Sequence, residues 1–457
     1  MRAQDVRLDD TVIAELRQRA KDLEAYSTLW AGGPEIDSSG SAALSSLVER
    51  LANMYPYGDA KYIGQLLKPP HPVAWVAQAI TALINPNNHA MDGGPATAVL
   101  EKEVVAKLAA MFGYQEHLGH LTSSGTIANL EALWVARELH PGKVILSGTN
   151  AHYTHERMCR LLGTPHETIP EDDLGRLSMA DLRVRLAQGG VGTVVVTLGT
   201  TGLGALDQVH EAADLAAEFG ARLHIDAAYG GFHTLLATGP QPLVDPAPFL
   251  AIRRADSIVV DPHKHGLQPY GCGSVLFADP SVGKLYSHNS PYTYFTSSDL
   301  HLGEISLECS RAGASAAAFW TTVEALGLTR EGMGSIIADG RKAALQIADI
   351  IRAADGAELV VEPELDIVCA FPRRPTTVQI SEATQDTFAA MAQDGWHLAL
   401  YRVDSKWLAR NHPWIVVDSD YTTVLRSCAM KPEHLQLAQE FSHRLIASMA
   451  QQASPTS

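Results

Sequence analysis

Between residues 143 and 278 the chain repeatedly gathers its β-branched and aliphatic residues into short runs: KVILS (143–147), GTVVVTL (192–198), RLHID (222–226), SIVVD (257–261) and SVLFA (274–278). Runs nearly continuous in Val, Ile and Leu read as strands buried on both faces, and the helical stretches between them predict a mainly parallel sheet covered on both sides. Ligands of such sheets bind beyond the carboxyl ends of the strands, where Asp226 and Asp261 fall. Upstream, Pro95 opens a helix in which Val99, Leu100, Val104, Leu108, Met111 and Phe112 recur at helical spacing before Gly113. Residues 1–75 read as a helical arm broken by Gly- and Pro-containing turns, with Lys68-Pro69-Pro70-His71-Pro72 as the clearest stop. After a long helical stretch over 312–356 come strand candidates in VVEPELDIVCAF, HLALYRV, WIVVD and TTVLRSC, then a closing helix from about Pro432. The pattern predicts an arm (1–75), a large α/β domain (76–325) and a small α+β domain (326–457).

Composition narrows the functional classes. The 457 residues carry 35 Lys+Arg against 51 Asp+Glu, a formal charge of −16, and no basic stripe interrupts that surplus. Such a chain repels phosphate backbones and anionic membranes, so neither nucleic acid nor membrane is an expected partner. No stretch reaches the ~18 consecutive apolar residues a spanning helix needs, and MRAQDVRLDD has no apolar core of a signal peptide, so a cytoplasmic location is expected. Cys159, Cys272, Cys309, Cys369 and Cys428 are scattered without a CxxC pair. They signal neither a disulfide framework nor a zinc site, and no metal is expected.

Several segments carry chemistry. In Asp261-Pro262-His263-Lys264-His265-Gly266 a lysine stands just past a buried strand, where desolvation favours the free amine, a nucleophile toward an aldehyde. Asp226 ends the strand of His224-Ile225-Asp226-Ala227-Ala228-Tyr229. A carboxylate there can hold the N–H of a pyridinium ring with alanine against the ring face, or simply cap the next turn. Ser123-Ser124-Gly125-Thr126 opens an apolar helix whose first amides and dipole suit a phosphate dianion. Asn150-Ala151-His152-Tyr153-Thr154-His155 follows the KVILS strand, and its His152 can stack on a bound ring or be an ordinary buried histidine. Thr197-Leu198-Gly199-Thr200-Thr201-Gly202 brings hydroxyls to the same sheet edge.

In this order and spacing the segments resemble the group II pyridoxal-phosphate-dependent amino acid decarboxylases, the aromatic amino acid, glutamate and tyrosine decarboxylases, from about Asn85 to Trp320 and more weakly beyond. The resemblance implies a fold type I enzyme with a seven-stranded, mainly parallel sheet in a three-layer α/β/α domain. It also implies pyridoxal 5'-phosphate as cofactor and a homodimer with shared sites. Lys264 matches the lysine that carries the cofactor as a Schiff base, and His263 the neighbour that reaches its phosphate. Asp226 matches the partner of the pyridine nitrogen, Ala228 the residue under the ring and His152 the one stacked on its other face. Ser124, Gly125 and Thr126 match the phosphate loop, with Thr200 at the same edge. The family often has two glycines where Ser124-Gly125 stands, and a large residue where His265 follows the lysine.

Further on, SPYTYFT (290–296) and LECSRAG (307–313) resemble the family's mobile loop and the arginine segment after it. Tyr292 matches the tyrosine that protonates the substrate carbon, with Tyr294 in reserve. Aldehyde synthases of the family have phenylalanine there, so tyrosine favours simple decarboxylation. Arg311 either pairs with a carboxylate or braces the dimer. Tyr62, near Trp75, is a candidate lining for an aromatic pocket, whereas Lys61, Lys68 and Arg402 are basic groups that an acidic substrate would want. The 290–296 and 307–313 segments look most like bacterial sequences grouped with tyrosine decarboxylases. An aromatic L-amino acid is therefore the expected substrate, the alternatives being glutamate or aspartate, or another fold type I reaction such as an aldehyde synthase, an aminotransferase or a carbon–carbon lyase.

Overall fold

The structure is a computed structural model that describes residues 10–26, 36–287 and 302–451. Its larger sheet contains β1 (Leu118–Thr122), β2 (Val144–Gly148), β3 (His166–Ile169), β4 (Val191–Thr197), β5 (Arg222–Asp226), β6 (Ser257–Val260) and β7 (Gly273–Phe277), in the spatial order β1-β7-β6-β5-β4-β2-β3. Neighbours from β3 to β6 pair in parallel, and β7 alone runs antiparallel, to both β6 and β1. The sheet is thus mainly parallel, as its strand composition predicts.

Alternation along the strands shows why both faces need cover. Ile258, Val260 and Leu276 join one apolar cluster with Val104, Leu108 and Ala212, whereas Val259, Val275 and Phe277 join another with Ala128, Ala132 and Val135. The first set packs against the Pro95–Phe112 and Val209–Phe219 helices and the second against the Gly125–Leu139 helix. Removing all that apolar surface from water, at roughly 25 cal/mol per Å², drives the three layers together.

A second sheet, in the order β10-β11-β9-β8, is antiparallel and built from β8 (Ala357–Leu359), β9 (Ile367–Pro372), β10 (Ala399–Asp404) and β11 (Tyr421–Cys428). The Met333–Arg352 and Glu433–Gln451 helices share its apolar cluster.

Several local expectations give way. The Lys68–Pro72 run starts a helix instead of ending one. His71 caps the Pro72–Ile84 helix by accepting from Val73 N, with Pro72 in the first turn, where a missing N–H costs nothing. The expected division after residue 75 therefore falls inside that helix, and the one after 325 at the end of the Gly313–Leu326 helix. The helical stretch over 312–356 is two helices, broken where Gly327 adopts a φ of 76°. WIVVD contributes only a bridge at Val416, because its Asp418 turns to accept from Val378 N and Thr377 Oγ1 at the next helix start. LGHLT, unremarked in the sequence, is β1, whose partner β7 lies far along the chain.

Candidate active site

Four strand ends and one helix start converge on the predicted lysine. β6 runs into a turn in which Lys264 N donates to the Asp261 carbonyl at 2.9 Å. The Lys264 side chain keeps 20% of its exposure, and its Nζ lies 3.3 Å from Asp261 Oδ2. His263 Nε2 approaches the same oxygen at 3.5 Å, while its Nδ1 donates to the Cys272 carbonyl at 2.7 Å. Tyr270 stacks on the His263 ring at 4.6 Å. Burial lowers the His263 pKa, against the pull of Asp261.

At the end of β5, Asp226 is 4% exposed and fully engaged. Its Oδ2 lies 2.9 Å from His155 Nε2 and accepts from Asn129 Nδ2 at 3.3 Å, and its Oδ1 accepts the Ala228 amide at 3.1 Å. Burial by itself would raise this carboxyl's pKa. The His155 hydrogen bond, the His155 ring and the Lys264 charge reverse that and hold it well below the usual carboxylate range. Asn129 also fixes His224, whose Nε2 lies 2.9 Å from its Oδ1, and burial pushes His224 down to about 3. A neutral His224 and an ionised Asp226 are what this desolvated spot favours.

The Gly125–Leu139 helix begins beside the lysine turn. Ser124 caps it, its Oγ accepting from Ile127 N at 3.4 Å, while the remaining first-turn amides have no intrahelical acceptor. A Cβ on Gly125 would sit 2.7 Å from both Asp261 oxygens, so only glycine lets the helix start come this close to β6. Thr126 Oγ1 accepts from Thr154 Oγ1 at 3.3 Å, which ties the helix start to the His152 segment. His152 itself is half-buried, its Nδ1 accepting from Thr154 N at 3.3 Å, and burial lowers its pKa while Asp226 raises it. Thr200, buried at the end of β4, accepts from Ala205 N at 3.1 Å and so holds its own loop.

Other expected residues fall elsewhere. Tyr62 is buried edge-on to Tyr57 at 4.9 Å, in an aromatic group with Tyr55 and His397. Arg311 is committed within its own chain, to both Glu101 oxygens and to the carbonyls of Leu121, Asn88 and Gly303, so of its two expected roles it takes the one of pairing with a carboxylate. Tyr292 and Tyr294 lie outside the described residues. Lys61 approaches Glu440 and the Trp396 ring, Lys68 is buried on the Met430 carbonyl, and Arg402 lies over Tyr421.

The sequence reading gave no role to His155 or Asn129, although each stands one turn along from a residue it singled out. It also passed over Arg426, which is buried on β11. That guanidinium donates to the carbonyls of Thr201 at 3.0 Å and Gly64 at 3.3 Å, and its Nε has no acceptor among the described residues.

The residues fit pyridoxal phosphate. Asp226 is kept ionised, as the partner of a protonated ring nitrogen must be. Asp261 Oδ1, beside the lysine amine, is buried without a partner among the described residues. The Ser123 amide, next to the expected phosphate loop, donates to the Glu308 carboxylate at 2.9 Å, so the backbone there already accepts an oxyanion.

Comparison with known proteins agrees. Residues 70–371 match the pyridoxal-dependent decarboxylase conserved domain. The L-aspartate decarboxylase of Thermococcus kodakarensis is 28% identical over 342 residues, covering 73% of this chain and 85% of that protein. A probable L-tyrosine/L-aspartate decarboxylase of Methanothermobacter thermautotrophicus is 32% identical over 323 residues, covering 68% and 83%. Among solved structures, Oryza sativa TDC with PLP and tryptamine superposes with a TM-score of 0.78 at 19% identity, over 98% of this chain and 100% of that one. Mouse CSAD gives 0.76 at 20% identity, over 96% and 99%. With two thirds of its length inside that domain, and a lysine, an ionised carboxylate and a phosphate-ready helix start at one sheet edge, the chain belongs to the pyridoxal-dependent decarboxylases and is a PLP-dependent amino acid carboxy-lyase.

Proposed function

We propose that this enzyme decarboxylates an acidic L-amino acid, L-aspartate first. The observation that carries the reading is Arg426. A buried guanidinium is costly unless paired, yet among the described residues this one rests on two backbone carbonyls and the Cys428 side chain and has no carboxylate of its own. It is anchored to Thr201, next to Thr200 at the strand-end edge, where a substrate carboxylate would complete it. Arg402, Lys406 and Arg410 add basic groups to a groove shared with Asn150, Leu203 and Tyr401. Relatives named L-aspartate decarboxylase, and one named L-aspartate/L-glutamate decarboxylase from Pyrococcus horikoshii, support the same class. The aromatic expectation drawn from the 290–296 and 307–313 segments is displaced accordingly. Tyrosine stays as the second reading because some relatives are named L-tyrosine/L-aspartate decarboxylases.

In this reading Lys264 would hold the cofactor through its amine. Asp226 keeps a proton on the ring nitrogen, and His152 and Ala228 flank the ring. Ser124, Gly125, Thr126 and His263 hold the phosphate, and Thr200 borders the substrate side. Bound pyridoxal phosphate supplies the sink for the electron pair left when the carboxylate departs. Arg426 would hold the substrate's side-chain carboxylate and so fix its orientation. Tyr292, with Tyr294 in reserve, returns a proton to the α-carbon.

The working unit is proposed to be a cytoplasmic homodimer. The Ser38–Leu51 helix buries none of its residues in its own subunit and exposes Leu44, Leu47, Val48 and Leu51, a face that a second copy would cover. No described helix is long and apolar enough to cross a membrane.

The deciding experiment measures CO₂ release from L-aspartate, L-glutamate, L-tyrosine, L-phenylalanine and L-tryptophan, with each amine identified by mass. Aspartate or glutamate should give the highest kcat/KM, and a higher value for any aromatic substrate would overturn the acidic assignment. Full activity of a monomer on dilution would overturn the dimer.

A further inference from the structure

A closed polar cluster that the reaction scheme does not use lies directly behind the lysine turn. Its centre is Asp366, fully buried just before β9 in the smaller sheet. Asp366 Oδ1 accepts the Tyr229 hydroxyl at 2.6 Å, and Oδ2 lies 3.1 Å from His265 Nε2. His233 Nε2 stands 3.9 Å from Oδ1, and the His233 and His265 rings meet edge-on at 4.7 Å. Tyr229 is three residues after Asp226, and His265 is the neighbour of Lys264. One carboxylate therefore touches both segments that carry the cofactor-holding groups.

The backbone around Asp366 is held firmly. Its carbonyl accepts from Ala429 N at 2.7 Å, and Arg341 donates to the carbonyls of Leu365 at 2.7 Å and Pro363 at 2.8 Å. The charge pattern explains why the carboxylate is tolerated without solvent. His265, His233 and the Tyr229 hydroxyl outweigh burial and hold its pKa well below the usual range. Burial lowers the pKa of both nearby Lys68, to about 8, and Arg341, and the Asp366 charge offsets part of that.

Two imidazoles and a carboxylate whose ligand atoms lie within 4.8 Å of one another have the composition of a divalent-metal site. Lys68 and Arg341 argue against that occupant, because they already balance one carboxylate with two cations and a divalent ion would add two more positive charges in a desolvated spot. A scaffold role agrees with the charges.

We propose that Asp366 is a positioning residue for decarboxylation: from the smaller sheet it fixes, through Tyr229 and His265, the separation between Asp226 and Lys264. This rests on those two residues holding the cofactor, which Lys264→Ala tests separately. Asp366→Asn keeps the shape and removes the charge. It should raise the dissociation constant for pyridoxal phosphate by about tenfold or more, the range seen when an outer partner of a ligand-holding group is lost. The induced circular dichroism of each bound cofactor should fall, while far-ultraviolet dichroism stays unchanged. Combining Tyr229→Phe with Asp366→Asn should add little, since both break one contact. A folded Asp366→Asn variant with wild-type cofactor affinity and induced dichroism would overturn the proposal. So would a stoichiometric divalent metal in the purified wild-type enzyme that Asp366→Asn loses. If Asp366→Asn does not fold, Tyr229→Phe and His265→Asn decide: weakened cofactor binding in both supports the proposal, and unchanged binding in both rejects it.

Discussion

His155 Nε2 lies 2.9 Å from Asp226 Oδ2, and both side chains are closed off from solvent. An ionised carboxylate at such a place survives because its oxygens are occupied by donors. The proton it would hold on the cofactor ring therefore depends on a histidine that has no need to touch that ring.

Replacing the donor by a side chain of similar size tests this. His155→Phe should leave the fold intact and lower kcat roughly tenfold to a hundredfold, as losing an outer partner does at metal sites. His155→Asn, which can still donate, should recover part of the loss. Steady-state kinetics with L-aspartate checks both, and wild-type kcat in His155→Phe would show that Asp226 needs no such support.

Lys264 stands apart from the other lysines because its amine lies at the strand-end edge, 3.3 Å from Asp261 Oδ2, where the cofactor aldehyde would meet it. Lys264→Ala should abolish the visible absorbance of the bound cofactor and all turnover, and borohydride should no longer label the peptide that contains residue 264. A coloured, active Lys264→Ala protein would remove the basis of the mechanism.

Arg426 is the proposed carboxylate anchor. A charged hydrogen bond of this type is worth about 1.5–3 kcal/mol, so Arg426→Met should raise KM for the acidic substrate on the order of tenfold to a hundredfold. Cofactor affinity should change far less. Substrate saturation curves and a separate cofactor titration distinguish this from general damage.

The acid limb of stability follows from the buried carboxylates. Asp226 and Asp366 are both depressed below the ordinary aspartate value of 3.8 in the folded chain, so around and below that pH the unfolded chain binds more protons. Their stabilisation is complete above 3.8 and is lost as pH falls through the folded values. Asp207 acts oppositely. Burial pushes its carboxyl up to about 7, so its contribution declines as pH rises from 3.8 toward 7. Urea midpoints of the cofactor-free protein should therefore drop as pH falls below about 3.8. Asp366→Asn should flatten that drop, and an equally steep limb would contradict the assignment.

Much of this site was legible because chemistry was concentrated where strands end. RLHID and SIVVD announced themselves as buried runs, so Asp226 and Lys264 could be placed just past them. What stayed hidden depends on partners distant in sequence. β1 needs β7, and LGHLT lacks the β-branched density to declare itself alone. His155 and Asn129 looked like ordinary helical residues until folding brought them to Asp226. Arg426 and Asp366 come from the second sheet, whose packing against the first no local pattern encodes. For the same reason the sequence left open which carboxylate Arg311 would meet, and only the fold brings it to Glu101.

The antiparallel return of β7 has a consequence for how the gene can vary. The Lys264 turn is an arch between paired strands, with Lys264 N strapped to Asp261, His263 to Cys272 and Gln268 N to the Pro262 carbonyl. Inserted residues there would have to break those straps, whereas the exposed Gly189-Gly190 turn has open space around both glycines. Length variation among natural or engineered versions should therefore accumulate at turns like the latter and spare residues 261–272.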